Sequence, residues 1–234
     1  MAELAPARQL PLAVQLRDDA TLDNFLAPPA VQPLIAALSR QAEPDGEAMI
    51  FLHGAAGSGK SHLLQASCHL AGAGALYLPL AELEHYSPEE VLQGVAALKL
   101  VCIDDVHIVL GNADWELALF NLYNRAGQQN CRLLLAGNAA PRALAVDLPD
   151  LRSRLSWGIV FQLAQADDDA KAGILRFRAA RRGLSLSEET ASYIVTRAPR
   201  AMDQLLDLLA ILDQASLAEQ RALSIPFVKQ ALGW

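Results

Sequence analysis

Residues 54–61, Gly-Ala-Ala-Gly-Ser-Gly-Lys-Ser, satisfy the spacing G-x-x-x-x-G-K-[ST], and that spacing restricts the fold severely. Such a loop turns backbone N–H groups inward onto phosphate oxygens, which needs glycine wherever a side chain would collide. Its lysine, Lys60, neutralises the β and γ oxygens, and the Ser61 hydroxyl is a Mg²⁺ ligand. The loop works only between a strand and a helix, because the helix N-terminus supplies further N–H groups and favours an anion. Both neighbours are legible: "AMIFLH" (48–53) ahead of the loop and "SHLLQASCHLA" behind it.

Four more short apolar runs follow, "ALYLPL" (75–80), "LKLVCID" (98–104), "CRLLLAG" (131–137) and "WGIVFQL" (157–163), with helical stretches between them. Continuously apolar strands alternating with helices imply a parallel sheet covered on both faces. The expectation is an α/β core over 21–163 with five parallel strands. Residues 1–20 carry prolines and short apolar pairs without helical period and read as an extended tail. Beyond residue 164 the pattern is helical throughout: acidic residues open "ADDDAKAGILRFRAARRG", Gly183 closes it, Ser187 caps "EETASYIVTRA", Pro199 interrupts, and Pro226 stands in a first helical turn. Residues 164–234 are therefore expected to form a small all-helical domain.

The net charge of −7 and a pI near 5.2 argue against a nucleic-acid binder that works through bulk electrostatics. Arg176, Arg178, Arg181 and Arg182 lie close together in the chain and are expected to form a solvated or salt-bridged helix face. Three cysteines without a CxxC pair indicate neither a disulfide framework nor a zinc site, and Cys102 and Cys131, inside apolar runs, read as core. No apolar stretch approaches membrane-spanning length and no apolar leader is present. The expectation is a soluble, cytoplasmic protein.

Three further residues belong with the loop. "LVCIDD" puts Asp104 and Asp105 at the C-terminal end of a strand, where one carboxylate can hold Mg²⁺ and the next can orient water. An acidic pair there can also cap a helix or form a turn; the loop upstream favours the chemical role. Asn138 ends "RLLLAGN" in a position to hydrogen-bond a γ-phosphate or an attacking water, although an asparagine after a strand is often a turn residue. "LPDLRSRLSWG" places Arg152 and Arg154 on a short helix, from which an arginine can point out of its own subunit. The expected nucleotide-binding set is Gly54, Gly57, Ser58, Gly59, Lys60, Ser61 and His62, with ADP or ATP as ligand and Mg²⁺ on Ser61 and Asp104.

Taken together, the loop, a strand ending in Asp-Asp, a strand ending in Asn, "SRLSWG" and a helical lid resemble the AAA+ ATPases of the DnaA replication-initiator type. "TLDNFL" (21–26), "GKSHLL", "CIDDVH" and "WELALFNLYNR" resemble that family's wording, so the likeness runs over roughly residues 16–234. The resemblance implies that Asn138 is the sensor-1 residue and Arg154 the arginine finger that completes a neighbour's ATP site. Initiators continue past the lid into a helix-turn-helix domain, whereas this sequence ends at "SIPFVKQALGW". The tail "QLPLAVQL" resembles the Gln-Leu-x-Leu motif that docks into the replication sliding clamp, with Gln9 at the edge of the clamp pocket and Leu10 and Leu12 filling it. This combination is similar to a regulatory branch of the family that inactivates the initiator.

One departure bears on the nucleotide. Where initiators carry a sensor-2 arginine, matching "RAMDQLLDLL" to that helix gives Asp203, with Arg200 about a turn earlier. A carboxylate facing phosphates is repulsive, more so for a triphosphate than for a diphosphate. Either Arg200 takes over the contact or the lid contributes nothing positive, and a preference for ADP follows more readily than efficient turnover. Three functions are compatible with these residues. The first is a negative regulator of replication initiation: bound to nucleotide and to the DNA-loaded clamp, it stimulates hydrolysis of DnaA-bound ATP through Arg154, touching DNA only through the clamp. The second is an autonomous AAA+ loader or motor. The third is a nucleotide-braced adaptor without enzymatic action. Nucleotide at subunit interfaces makes a homo-oligomer an expectation in each case.

Overall fold

The computed structural model describes residues 15–199 and 201–234, which divide after Leu163 into two compact units, the loop crest Ala55–Gly59 belonging to the second. Gln9, Leu10, Leu12 and Arg200 lie outside the described residues.

The first unit is built on five parallel strands, β1 (Met49–His53), β2 (Ala75–Pro79), β3 (Leu100–Asp104), β4 (Arg132–Gly137) and β5 (Ile159–Gln162), in the order β2-β3-β4-β1-β5. The helices of this unit are α1 (Gln32–Gln41), α2 (Lys60–Ala71), α3 (Leu80–Leu83), α4 (Pro88–Leu92), α5 (Ala113–Gln129) and α6 (Pro149–Leu155). Side chains alternate across the sheet. Met49, Phe51, Val101, Ile103, Leu133 and Leu135 bury on the side covered by α5 and α6. Ile50, Leu52, Leu100, Cys102, Leu134 and Ala136 bury against Leu34, Leu38, Leu63 and Leu64 of α1 and α2. Because both faces are covered, β1, β3 and β4 read as unbroken apolar runs instead of alternating ones, whereas β5 at the edge of the sheet leaves Ile159 and Val160 exposed. Each such side chain contributes about 1.5–3 kcal/mol by leaving water.

Register places the chemistry. His53 pairs with Gly137 and Ile103 with Leu135, so Gly54, Asp104, Asp105 and Asn138 all emerge at the C-terminal edge of neighbouring strands. In an open parallel sheet that edge, where strand order reverses around the first strand, is where ligands bind.

The second unit carries α7 (Asp168–Arg181), α8 (Glu188–Arg197), α9 (Met202–Glu219) and α10 (Ile225–Leu232) around Leu175, Ile194, Leu205, Leu209, Leu212 and Phe227. Its helices start where their capping residues dictate: Asp167 accepts from the Ala170 N–H at 2.8 Å, Ser187 from Thr190 at 3.1 Å and Ser224 from Phe227 at 3.4 Å. The arginine-rich face of α7 is only partly as expected. Arg176 pairs with Glu188 at 3.5 Å and Arg182 with Asp213 at 3.9 Å, but Arg178 is buried, one turn from Leu175 on the side of α7 that forms the core. No helix among the described residues is long and apolar enough to cross a membrane.

Candidate functional site

Between β1 and α2 the chain runs through the glycine-rich loop. Gly57 (φ +74°) and Gly59 (φ +95°) occupy the left-handed region, which a side chain resists and glycine adopts at no steric cost. Lys60 opens α2 and is 8 % exposed; its Nζ donates to the Gly54 carbonyl at 2.8 Å, so the ammonium is turned back under the loop. Burial lowers the Lys60 pKa, while the Asp104 and Asp105 carboxylates act in the opposite direction and hold the charge. Ser58 Oγ is buried in the same loop without a partner, an orphaned polar atom of the kind that a bound phosphate would satisfy.

Asp104 is 1 % exposed, and each of its oxygens already accepts a hydrogen bond, Oδ2 from the Tyr77 hydroxyl at 2.8 Å and Oδ1 from the Asp105 N–H at 2.9 Å. These bonds fix the orientation of the carboxylate and leave each oxygen a second lone pair. Burial, and behind it the Asp104 charge, push the Tyr77 hydroxyl pKa far up, so tyrosine stays a donor. Asp105 follows in a left-handed conformation (φ +52°, ψ +39°) that few residues tolerate and that puts its side chain on a different bearing from that of Asp104. Burial and the neighbouring Asp104 raise the Asp105 pKa, with His107 and Lys60 pulling it back. Burial first, and then the Lys60 charge, lower the pKa of His53 at the end of β1.

Asn138 is exposed one residue beyond β4 and lines, with His107, Leu110 and Leu144, a recess of about 410 Å³. Ser61 is exposed on the first turn of α2. The His62 Nε2 lies 2.8 Å from the Thr21 carbonyl and its ring packs 5.7 Å from that of Phe25. A buried carboxylate and an exposed hydroxyl are the hard oxygen donors that Mg²⁺ takes at nucleotide sites, so these residues fit the ion by their chemistry. Asp203, in the second unit, stands in the first turn of α9 and accepts from its own following N–H, Gln204, at 2.9 Å, a position where the helix dipole favours an acid.

The other predicted residue lies at the opposite end of the sheet. Arg154 is on the last turn of α6, and the chain then passes through Trp157 and Gly158 into β5. Gly158 is tight against the start of β1: a Cβ there would stand 2.3 Å from the Met49 carbonyl oxygen. Met49 and Gly54 are five residues apart along β1, about 16 Å at ~3.3 Å per residue. Arg154 is half-exposed, donates Nη2 to Asn124 Oδ1 at 3.2 Å, and stacks its guanidinium 4.0 Å from the centre of the Trp157 ring. It makes no ion pair with any described residue. Both of its contacts are neutral, and at an exposed site a cation–π contact contributes about 0.5–1 kcal/mol, so the group is oriented without being neutralised.

Two structural residues escaped sequence reasoning. Glu116, 1 % exposed on α5, accepts from the N–H groups of Gly111 (2.8 Å), Asp147 (3.0 Å) and Leu148 (2.6 Å), tying the loop after β3 to the one that leads into α6. Burial alone would raise its pKa; those donors, with the Arg152 charge, carry it below the ordinary value. Tyr77 is the other, and nothing short of the β2-β3 pairing could reveal it. For Glu116 a signal existed, a glutamate in the first turn after the Asn112 cap, but not its burial.

The comparisons with known proteins agree with this architecture. Residues 168–232 match the family described as "Hda, lid domain". A Haemophilus influenzae protein described as uncharacterized is 41% identical over 229 residues, 96% of this chain and 98% of its own. Domain III of the replication initiation protein DnaA of Thermotoga maritima superposes with a TM-score of 0.75 at 21% identity, over 94% of this chain and 98% of that one. AMPPCP-bound DnaA from Aquifex aeolicus gives 0.70 at 20% identity, over 87% and 68%.

Proposed function

Because the chain belongs to the family of DnaA-related AAA+ proteins that carry the Hda lid, we propose that it is a negative regulator of replication initiation, one that presents Arg154 to ATP held by a DnaA-type initiator. The observation that carries this reading is the disposition of Arg154: a cation without a carboxylate partner among the described residues, half-exposed, and close to the start of β1, whereas its own phosphate loop follows the end of that strand, about 16 Å away along it. A guanidinium brought to another subunit's γ-phosphate stabilises the charge that develops as the phosphoryl group departs, with accelerations of about 10³–10⁵.

The chain's own phosphate site is read as a nucleotide holder. Gly57, Ser58 and Gly59 would line the phosphates, Lys60 would neutralise the β and γ oxygens, the Ser61 hydroxyl would ligate Mg²⁺, and His62 is assigned to the same nucleotide site. AMPPCP in a structural neighbour supports nucleotide binding by this fold, with ADP or ATP as the ligand here. Bound Mg²⁺ would screen the phosphate charge; Asp104, fixed by Tyr77, would hold it together with Ser61, Asp105 would orient water, and Asn138 would hydrogen-bond the γ-phosphate or that water. Arg200, ahead of α9, is the lid cation assigned to the same ligand. Gln9, Leu10 and Leu12 are assigned to the sliding clamp on DNA, so that DNA is met only through the clamp. We further assign the protein to the cytoplasm and expect it to self-associate.

The test loads a DnaA-type initiator with radiolabelled ATP and adds clamp on DNA with this protein. The parent chain accelerates conversion to ADP; Arg154→Ala loses the acceleration yet binds nucleotide as the parent does. Undiminished acceleration by that variant would end the proposal.

A further inference from the structure

We propose that Trp157 is a positioning residue for Arg154, holding the guanidinium in a fixed plane while leaving its charge available to an anionic ligand on another molecule; this rests on the function proposed above. Four observations converge on it. Trp157 is 68 % exposed, the most exposed aromatic among the exposed large apolar residues, and so contributes little to the core. Its indole nevertheless has a defined partner, the Arg154 guanidinium at 4.0 Å. Its backbone is locked on both sides: the Trp157 N–H donates to the Arg154 carbonyl at 3.0 Å, closing the last turn of α6, and Gly158 admits no side chain against Met49. Finally, Leu155 between them is fully buried, so the short helix cannot rotate to let the pair separate.

The choice of an indole has a chemical consequence. An arginine could be held as firmly by aspartate or glutamate, but that ion pair would have to be broken, and its carboxylate would repel, when a phosphate arrived. An aromatic face attracts the cation through its quadrupole and leaves all five N–H donors, which lie at the rim of the guanidinium plane, unblocked. Among the described residues only one of them is engaged, by the Asn124 amide, itself neutral. The stack therefore restricts the group to one plane, and a planar group presented edge-on can meet two phosphate oxygens at once.

The test compares Trp157→Phe, which keeps an aromatic face, with Trp157→Leu and Trp157→Ala, which do not. In the initiator assay, Leu and Ala are expected to lower maximal stimulation by about 2–5-fold with the half-saturating concentration unchanged, and Phe to stay within about 1.5-fold of the parent. A second arm needs no partner: by NMR, the Arg154 Nε–H and Cδ–H resonances of the isolated chain are displaced by the indole ring current in the parent, less so in Phe, and return to unstacked values in Leu and Ala. Stimulation by Leu equal to that of Phe, a change confined to the half-saturating concentration, or the absence of a ring-current displacement in the parent would each overturn the inference. Should Arg154→Ala stimulate as the parent does, it is the function proposed above that fails, and the resonances still report whether the stack exists.

Discussion

The two ends of one sheet treat positive charge in opposite ways. At the C-terminal edge Lys60 is buried, donates to a carbonyl of its own loop, and sits in the field of two carboxylates. At the N-terminal edge Arg154 is half-exposed, and its polar and ring contacts among the described residues are with an amide and an indole. A group that serves a ligand bound in its own subunit gains from preassembly, because nothing needs to reorganise when that ligand arrives. A group meant for another molecule's ligand has to stay unneutralised in the free protein, and uncharged neighbours orient it without competing. On the function proposed above, the first cation acts at home and the second abroad.

The contrast is sharpest in a crossed pair of substitutions. Lys60→Ala removes charge-assisted bonds to phosphate and is expected to weaken nucleotide binding by this chain by about 10–100-fold, measured by calorimetry. Arg154→Ala in the same experiment is expected to change it by less than about twofold. Comparable losses from both would place the two groups in one site and erase the distinction drawn here.

A smaller effect is expected from the scaffold between the two ends. Glu116→Gln leaves buried N–H groups facing an amide and should cost about 2 kcal/mol, a fall in Tm of about 4–8 °C. The sign of its pH dependence follows from a folded pKa below the ordinary 4.5. The stabilisation is complete above that value and disappears as pH falls through the lower folded one, so parent and variant should converge in acid and differ most at neutral pH. Thermal melts between pH 3 and 7 read this directly, and a gap that widened in acid would reverse the assignment.

Much of this was legible in the residues themselves. The inner strands β1, β3 and β4 announce themselves because a doubly covered parallel strand is apolar at every position, β5 is apolar although the fold leaves Ile159 and Val160 exposed, and the loop 54–61 stands out because its glycines and lysine keep the phosphate-loop spacing. Arg154 and Trp157 are also readable in principle: three apart at a helix end, they share a face. Strand order is not readable locally, and without β2 beside β3 the bond from Tyr77 to Asp104 has no precursor in the sequence. Buried polar residues are hidden for a related reason. Glu116 and Arg178 look like surface charges, and only the loops and helices folded over them make them interior. His62 shows the converse: it sits inside the loop motif, yet its ring is claimed by Thr21 and Phe25.

The central claim concerns where the Arg154 guanidinium works, and photo-crosslinking addresses that position without relying on rates. A DnaA-type initiator is loaded with ATP carrying a photoreactive group on the γ-phosphate, mixed with this protein and clamp on DNA, irradiated, and the labelled peptides are identified. The account predicts label on the segment around residues 152–157 of this chain; label confined to its phosphate loop, or none on this chain at all, would contradict it.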